Sequence, residues 1–156
     1  MKLYVGDFDY LRNRIVLFDG DVSDDRIQDK IPESYRKAGG NIVVLPGSKS
    51  PEEVVYDYLA SLDEDSKLWE QLEPYGFTMR VLNEKGPFSC DFAGQSGKRQ
   101  KFKAWLNCYR GIFDLSHVLD YWAADHTELT SNFIASFEDA YGAIAERTSA
   151  TELPLK

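Results

Sequence analysis

Two aspartates one residue apart, Asp19 and Asp21, follow directly on the apolar run Arg14-Ile15-Val16-Leu17-Phe18. Acidic side chains this close repel each other, and burial would raise their pKa values unless a cation compensates. A hard divalent ion such as Mg2+ or Mn2+ takes oxygen ligands and keeps several waters, so two carboxylates are a reasonable protein share. Gly20 between them is expected to let the backbone turn sharply and aim both groups at one point. Residue types alone leave a second account open, a solvated turn whose aspartates cap the next segment, because so short a motif is weakly specific.

These residues need strands to hold them. The 14–18 run is short, continuously apolar and bounded by a polar turn, which predicts a parallel-sheet strand covered on both faces. Gly39-Gly40 opens a second such run, Asn41-Ile42-Val43-Val44-Leu45, stopped by Pro46-Gly47. In open α/β sheets, ligands gather at the carboxyl ends of the strands, where Asp19 and Asp21 fall. Leu3–Val5 reads as a further short strand, and Pro32 interrupts any single helix over 23–37. Ser50-Pro51-Glu52-Glu53 predicts a helix start, with Ser50 as cap, Pro51 at the first helical position and Glu53 closing a capping box. Val54, Val55, Tyr58, Leu59 and Leu62 form its apolar stripe.

Beyond this the chain turns helical. Residues 66–72 predict a short helix ending near Pro74, and the glycine-rich 83–97 stretch a loop. From Lys98 a helix carries Phe102, Trp105, Leu106 and Tyr109 on one face. Ser116 is expected to cap a helix bearing Leu119 and Trp122. Thr127 begins a last one with Leu129, Phe133, Phe137, Tyr141 and Ile144 as its buried stripe, before a frayed 148–156 tail. The resulting expectation is an α/β half over 1–82, a loop over 83–97, and a helical region over 98–156 packed on the first part.

Several other residues have two-sided readings. Glu52 either joins the cation site or is a first-turn carboxylate favoured by the helix dipole. Lys49 stands where a helix N-terminus attracts anions and could touch a phosphate. Lys98, Arg99, Lys101 and Lys103 could neutralise DNA phosphates, or form a solvated helix face. Gly94-Gln95-Ser96-Gly97-Lys98 has the wrong spacing for a phosphate-binding loop and no buried strand before it, so it reads as a flexible loop. Cys90, Cys108, His117 and His126 have no metal-ligand spacing. The histidines read as surface or packing residues.

At 156 residues the chain can bury one sizeable core, and its hydrophobic fraction of 43% excludes a disordered polymer. No apolar stretch approaches the roughly 20 residues that cross a bilayer, and no leader pattern is seen, so a cytoplasmic protein with no membrane partner is expected. The net charge of −8 argues against nucleic acid, but it divides into −7 over residues 1–73, +5 over 74–110 and −6 over 111–156. An acidic part beside a basic one suits a metal site next to a phosphate-contacting surface.

The run Ile15-Val16-Leu17-Phe18-Asp19-Gly20-Asp21 resembles the strand and D-x-D motif of Toprim domains. The stretch from Asn41 to Gly47, then Ser50-Pro51-Glu52, is similar to the matching part of OLD-family proteins, which fuse an ATPase to a Toprim nuclease. Lys103-Ala104-Trp105 and Leu119-Asp120-Tyr121-Trp122 are similar to their C-terminal tails. The resemblance implies a partial Toprim-like parallel sheet with flanking helices, Asp19 and Asp21 as catalytic metal ligands, and two-metal cleavage of DNA, commonly in phage defence. Toprim domains also use a Glu after an earlier strand. That strand and the ATPase half have no counterpart here, so the chain is expected to be a fragment, a split subunit or a remnant, and a poor nuclease alone. An exposed sheet edge left by the missing strand would invite an ATPase-bearing partner or a second copy.

Asp19-Gly20-Asp21-Val22-Ser23 also resembles the nucleophile motif of haloacid-dehalogenase-type phosphatases. There Asp19 would attack phosphorus and Asp21 would act as acid and base. Ser23 departs from the usual Thr or Val, and Pro46-Gly47-Ser48 mimics the second motif only weakly. A third account is an interaction module without catalysis.

Overall fold

Two short apolar runs form the sheet. In a computed structural model, which describes residues 14–23, 25–27 and 41–151, β1 (Val16–Phe18) pairs in parallel with β2 (Ile42–Val44). Val16 lies opposite Ile42, Leu17 opposite Val43, and Phe18 opposite Val44. The pairing runs one bond past each end: Val16 N–H donates to Asn41 O at 2.7 Å and Leu45 N–H to Phe18 O at 2.9 Å. Residues 25–27 are helical, and Ile27 packs on Val16, Phe18, Val22 and Ile42. Asn41 is fully buried; its amide donates to Arg14 O at 3.0 Å and its carbonyl oxygen accepts from the Arg147 guanidinium. An unpaired amide at that depth would cost about 1–3 kcal/mol, so these bonds fix the start of β2.

The chain divides into two compact units, one of residues 1–49 with 128–156, the other of residues 50–127. The sheet belongs to the first, as does most of the long helix that closes the described chain. The second is all helix: α1 (Pro51–Ser61), α2 (Lys67–Leu72), α3 (Met79–Glu84), α4 (Lys98–Leu115) and α5 (Val118–Asp125), with 3-10 turns at Glu73–Tyr75 and Cys90–Phe92. Trp105 is its centre, wholly buried, with the rings of Tyr56, Tyr109 and Phe113 at 5.4, 6.1 and 5.5 Å. Leu59, Leu68 and Leu72 are equally inaccessible, each stabilising the fold by about 1.5–3 kcal/mol. Local chemistry sets the ends: Ser66 accepts from Leu68 N–H, Thr78 Oγ1 accepts from Val81 N–H at 3.3 Å, and Gly76 leaves the Glu73–Tyr75 turn at φ 76°.

The architecture is therefore a short parallel sheet accompanied by a larger set of helices, an α/β arrangement dominated by helix. The strands expected at 14–18 and 41–45 form, in shorter lengths. Neither is covered throughout on both faces, because Leu17 is 48% and Val44 38% exposed while Val43 is buried. An apolar run signals a strand, but it does not supply a second covering layer. Residues 79–84, taken partly for loop, form α3 behind the Thr78 cap. The boundaries drawn at 82 and 97 fall inside the second unit.

Two helix expectations need correction. Ser116 does not cap α5; it is buried at the end of α4, where Oγ donates to Gln71 O at 3.2 Å. The chain turns instead at His117, at φ 54°, and α5 buries Val118 while Leu119 faces solvent. The last helix, α6 (Thr127–Thr151), starts where expected. Its anticipated stripe is largely exposed at Leu129, Phe137 and Tyr141, and Ala140 is buried instead. Helical spacing aligned those side chains without providing a surface to receive them. The tail expected over 148–156 starts later, because α6 continues to Thr151; its remainder from 152, the Leu3–Val5 strand and the 28–40 segment with Pro32 lie outside the described residues.

Candidate functional site

The Asp19-Gly20-Asp21 turn sits at the carboxyl end of β1, where Val22 N–H donates to Asp19 O at 3.1 Å. Asp19 is half-buried and Asp21 exposed. Gly20 is needed for a different reason from the one expected. Its φ is not in the left-handed region; rather, a Cβ there would lie 2.7 Å from Leu45 O, 3.0 Å from Lys49 O and 3.2 Å from Ser48 N. The turn is pressed against the loop that leaves β2. That loop makes room by its own unusual backbone, with Gly47 at φ 100° and Ser48 at φ 53°. The two strand exits thereby meet at Gly20, between Asp19 and Asp21 on one side and Ser48 and Lys49 on the other.

No group of three or more His, Cys, Asp or Glu side chains that could hold a metal ion occurs among the described residues. Glu52 lies in the first turn of α1, in the other unit. Its Oε2 is buried and finds no hydrogen-bond partner among the described residues. Glu53 does not close a capping box. Ser50 is buried and its side chain makes no cap bond, while its carbonyl oxygen accepts from both Glu53 and Val54 N–H at 3.0 Å. The Glu53 carboxylate reaches Lys98 Nζ at 2.5 Å instead. An ammonium brought close by the packing of α1 on α4 outcompetes one backbone amide.

The four expected phosphate-binding cations lie on α4 but not on one surface. Lys98 and Lys101 are three residues apart and Arg99 and Lys103 four, so each pair shares a flank. Arg99 and Lys103 lie across the helix from Lys101, while Lys98, four residues before Phe102 and seven before Trp105, stands on the face of those two rings. Lys98 Nζ stands 5.6 Å from the Phe102 ring centre and Lys101 Nζ 5.9 Å from that of Phe88. A 3-10 turn, not a strand, precedes the Gly94–Lys98 stretch, consistent with its reading as a non-phosphate loop. His117 is exposed beside Asp120, and His126 packs face to face on Trp122 at 4.8 Å.

Three features escaped the sequence reading. Tyr58 Oη donates to Asp125 at 2.6 Å, tying α1 to α5. Burial first, then this bond and the Asp125 charge, push the Tyr58 phenol well above its ordinary value. Phe88, placed in a loop, is 58% exposed. A cleft of about 580 Å³ is floored by Trp69 and Met79 and edged by Glu64, Asp65, Glu73 and Glu84. These groups come from separate segments and carry no spacing signal.

Comparison with models of known protein families, with curated proteins and with solved structures gave no match. No helix among the described residues is long and apolar enough to cross a membrane.

Proposed function

We propose that this chain is a Toprim-like, divalent-cation-binding module of an OLD-family type of DNA nuclease. The observation that carries the reading is the packing of the Asp19–Asp21 turn, through Gly20, against the exit loop of the neighbouring parallel strand. Ligand chemistry in open α/β sheets belongs at that place. Asp19 and Asp21 would hold Mg2+ or Mn2+, which lowers the pKa of bound water and neutralises charge on a phosphodiester. Complete two-metal cleavage places ions roughly 3.5–4 Å apart and needs further ligands. Lys49, exposed on that exit loop, is suited to meet a phosphate oxygen. DNA is the substrate in this reading, and an ATPase-bearing protein or a second copy is the partner, joined through the sheet.

Calorimetric titration of the wild type and Asp21→Asn with Mn2+ and Mg2+ tests the metal site. Saturable heats in the wild type that vanish in the variant support it; equal heats in both empty it. Nicking of supercoiled DNA that depends on Mn2+ and is lost in Asp19→Ala supports the nuclease step.

The phosphatase reading keeps one specific observation in its favour. Ser48, on the exit loop of the adjacent strand, lies with its amide beside Gly20, where a phosphate held by Asp19 as nucleophile would need a donor. Release of phosphate from p-nitrophenyl phosphate, lost in Asp19→Ala and without action on DNA, would select it.

A further inference from the structure

We propose that Phe88, Lys98 and Lys101 form a surface that binds single-stranded nucleic acid, one base stacking on Phe88 and the neighbouring phosphates facing the two lysines. The inference draws on the nucleic-acid part of the proposed function and is independent of the metal site.

Phe88 is not exposed because its loop is loose. Pro87 before it is fully buried, and Gly86 is so crowded that a Cβ would lie 2.8 Å from Leu82 O and 3.3 Å from the Tyr56 ring. Ser89 N–H closes the turn onto Gly86 O at 2.9 Å. With Gly86 and Pro87 pinned in the helical unit, the next side chain is directed outward. Its ring is steadied at one side by an edge-on contact with Phe102, 5.4 Å between centres. A fixed, solvent-facing aromatic of this kind is a stacking platform.

The cations beside it are Lys101 and, on the far side of Phe102, Lys98, which is paired with Glu53. Lys101 Nζ stands 5.9 Å from the Phe88 ring centre. Lys98 keeps 60% of its side-chain surface exposed while touching Glu53, so it can face a phosphate without leaving that carboxylate. Residues 74–110, which contain the whole patch, carry +5 in a chain of −8. That complementarity selects a polyanion. The exposed ring then selects a strand with unpaired bases, since a duplex offers phosphates but keeps its base faces stacked.

Fluorescence anisotropy with the full chain in EDTA, comparing labelled oligothymidylate with a duplex of equal length, tests this. The single strand should bind more tightly, and Phe88→Ala should weaken it by about 5- to 100-fold, the usual effect of losing one stacked base. Phe88→Trp should retain or tighten binding. Lys101→Gln should lower the slope of log affinity against log salt by about 0.7, while Arg110→Gln, farther along α4, leaves it unchanged. Tighter binding to duplex, equal affinity in Phe88→Ala, or no saturable binding to the single strand overturns the proposal. Because EDTA removes the cation, an empty Asp19–Asp21 site would leave this readout standing, and a failure here would leave the metal titration standing.

Discussion

A methyl group on Gly20 would meet the carbonyl oxygens of Leu45 and Lys49 at 2.7 and 3.0 Å. Both contacts are to backbone, which cannot swing aside as a flexible side chain would. Gly20→Ala is therefore expected to cost about 1–3 kcal/mol of stability, read as a lower urea midpoint. In the proposed reading it should also weaken cation binding, because both aspartates flank the displaced residue. A variant as stable as the wild type would mean that the turn and the 45–49 loop do not touch. The Glu53–Lys98 pair belongs to the same scale but has a smaller effect. With the lysine largely in solvent, Lys98→Gln should change stability by under about 1 kcal/mol.

Between elements, Tyr58 and Asp125 offer a pH-dependent link. The folded phenol holds its proton to higher pH than the unfolded one, whose ordinary value is 10.0. Its contribution is thus complete below pH 10 and declines as pH rises past that value, where only the unfolded chain gains by ionising. Tyr58→Phe should lose about 1 kcal/mol at neutral pH, since Asp125 is exposed and the bond is partly solvated. Urea unfolding at pH 8 and pH 10.5 should show a smaller decline in the variant; equal declines would remove Tyr58 from the account. Trp105 is the other inter-element anchor, and Trp105→Ala should cost about 3–5 kcal/mol by leaving a cavity between α1 and α4.

At the scale of the molecule, the helical unit is one continuous stretch, residues 50–127, with its own core from Val55 to Val118. The sheet-bearing unit is assembled from two separated stretches. Residues 50–127 expressed alone should retain helical circular dichroism and melt cooperatively. A molten, non-cooperative product would show that this core depends on the rest of the chain. The full chain should then unfold with different midpoints by tryptophan fluorescence and by circular dichroism, because Trp69, Trp105 and Trp122 all lie in the helical unit.

Where chemistry is local, the sequence was enough. Apolar runs of the right length placed β1 and β2, and proline at the first helical position started α1. The acidic pair fell at a strand exit because strand and turn are adjacent in the chain. Local pattern could not show what lies opposite a side chain. Helical spacing aligned Leu129, Phe137 and Tyr141 but could not tell whether anything covers them. A capping box was written at Ser50 and Glu53, yet a lysine 45 residues away took the carboxylate. Gly20 read as a residue needed for flexibility, and only the approach of a second strand's loop revealed that it is needed for space. Contacts between distant segments depend on how the chain closes on itself, and that closure alone decided them.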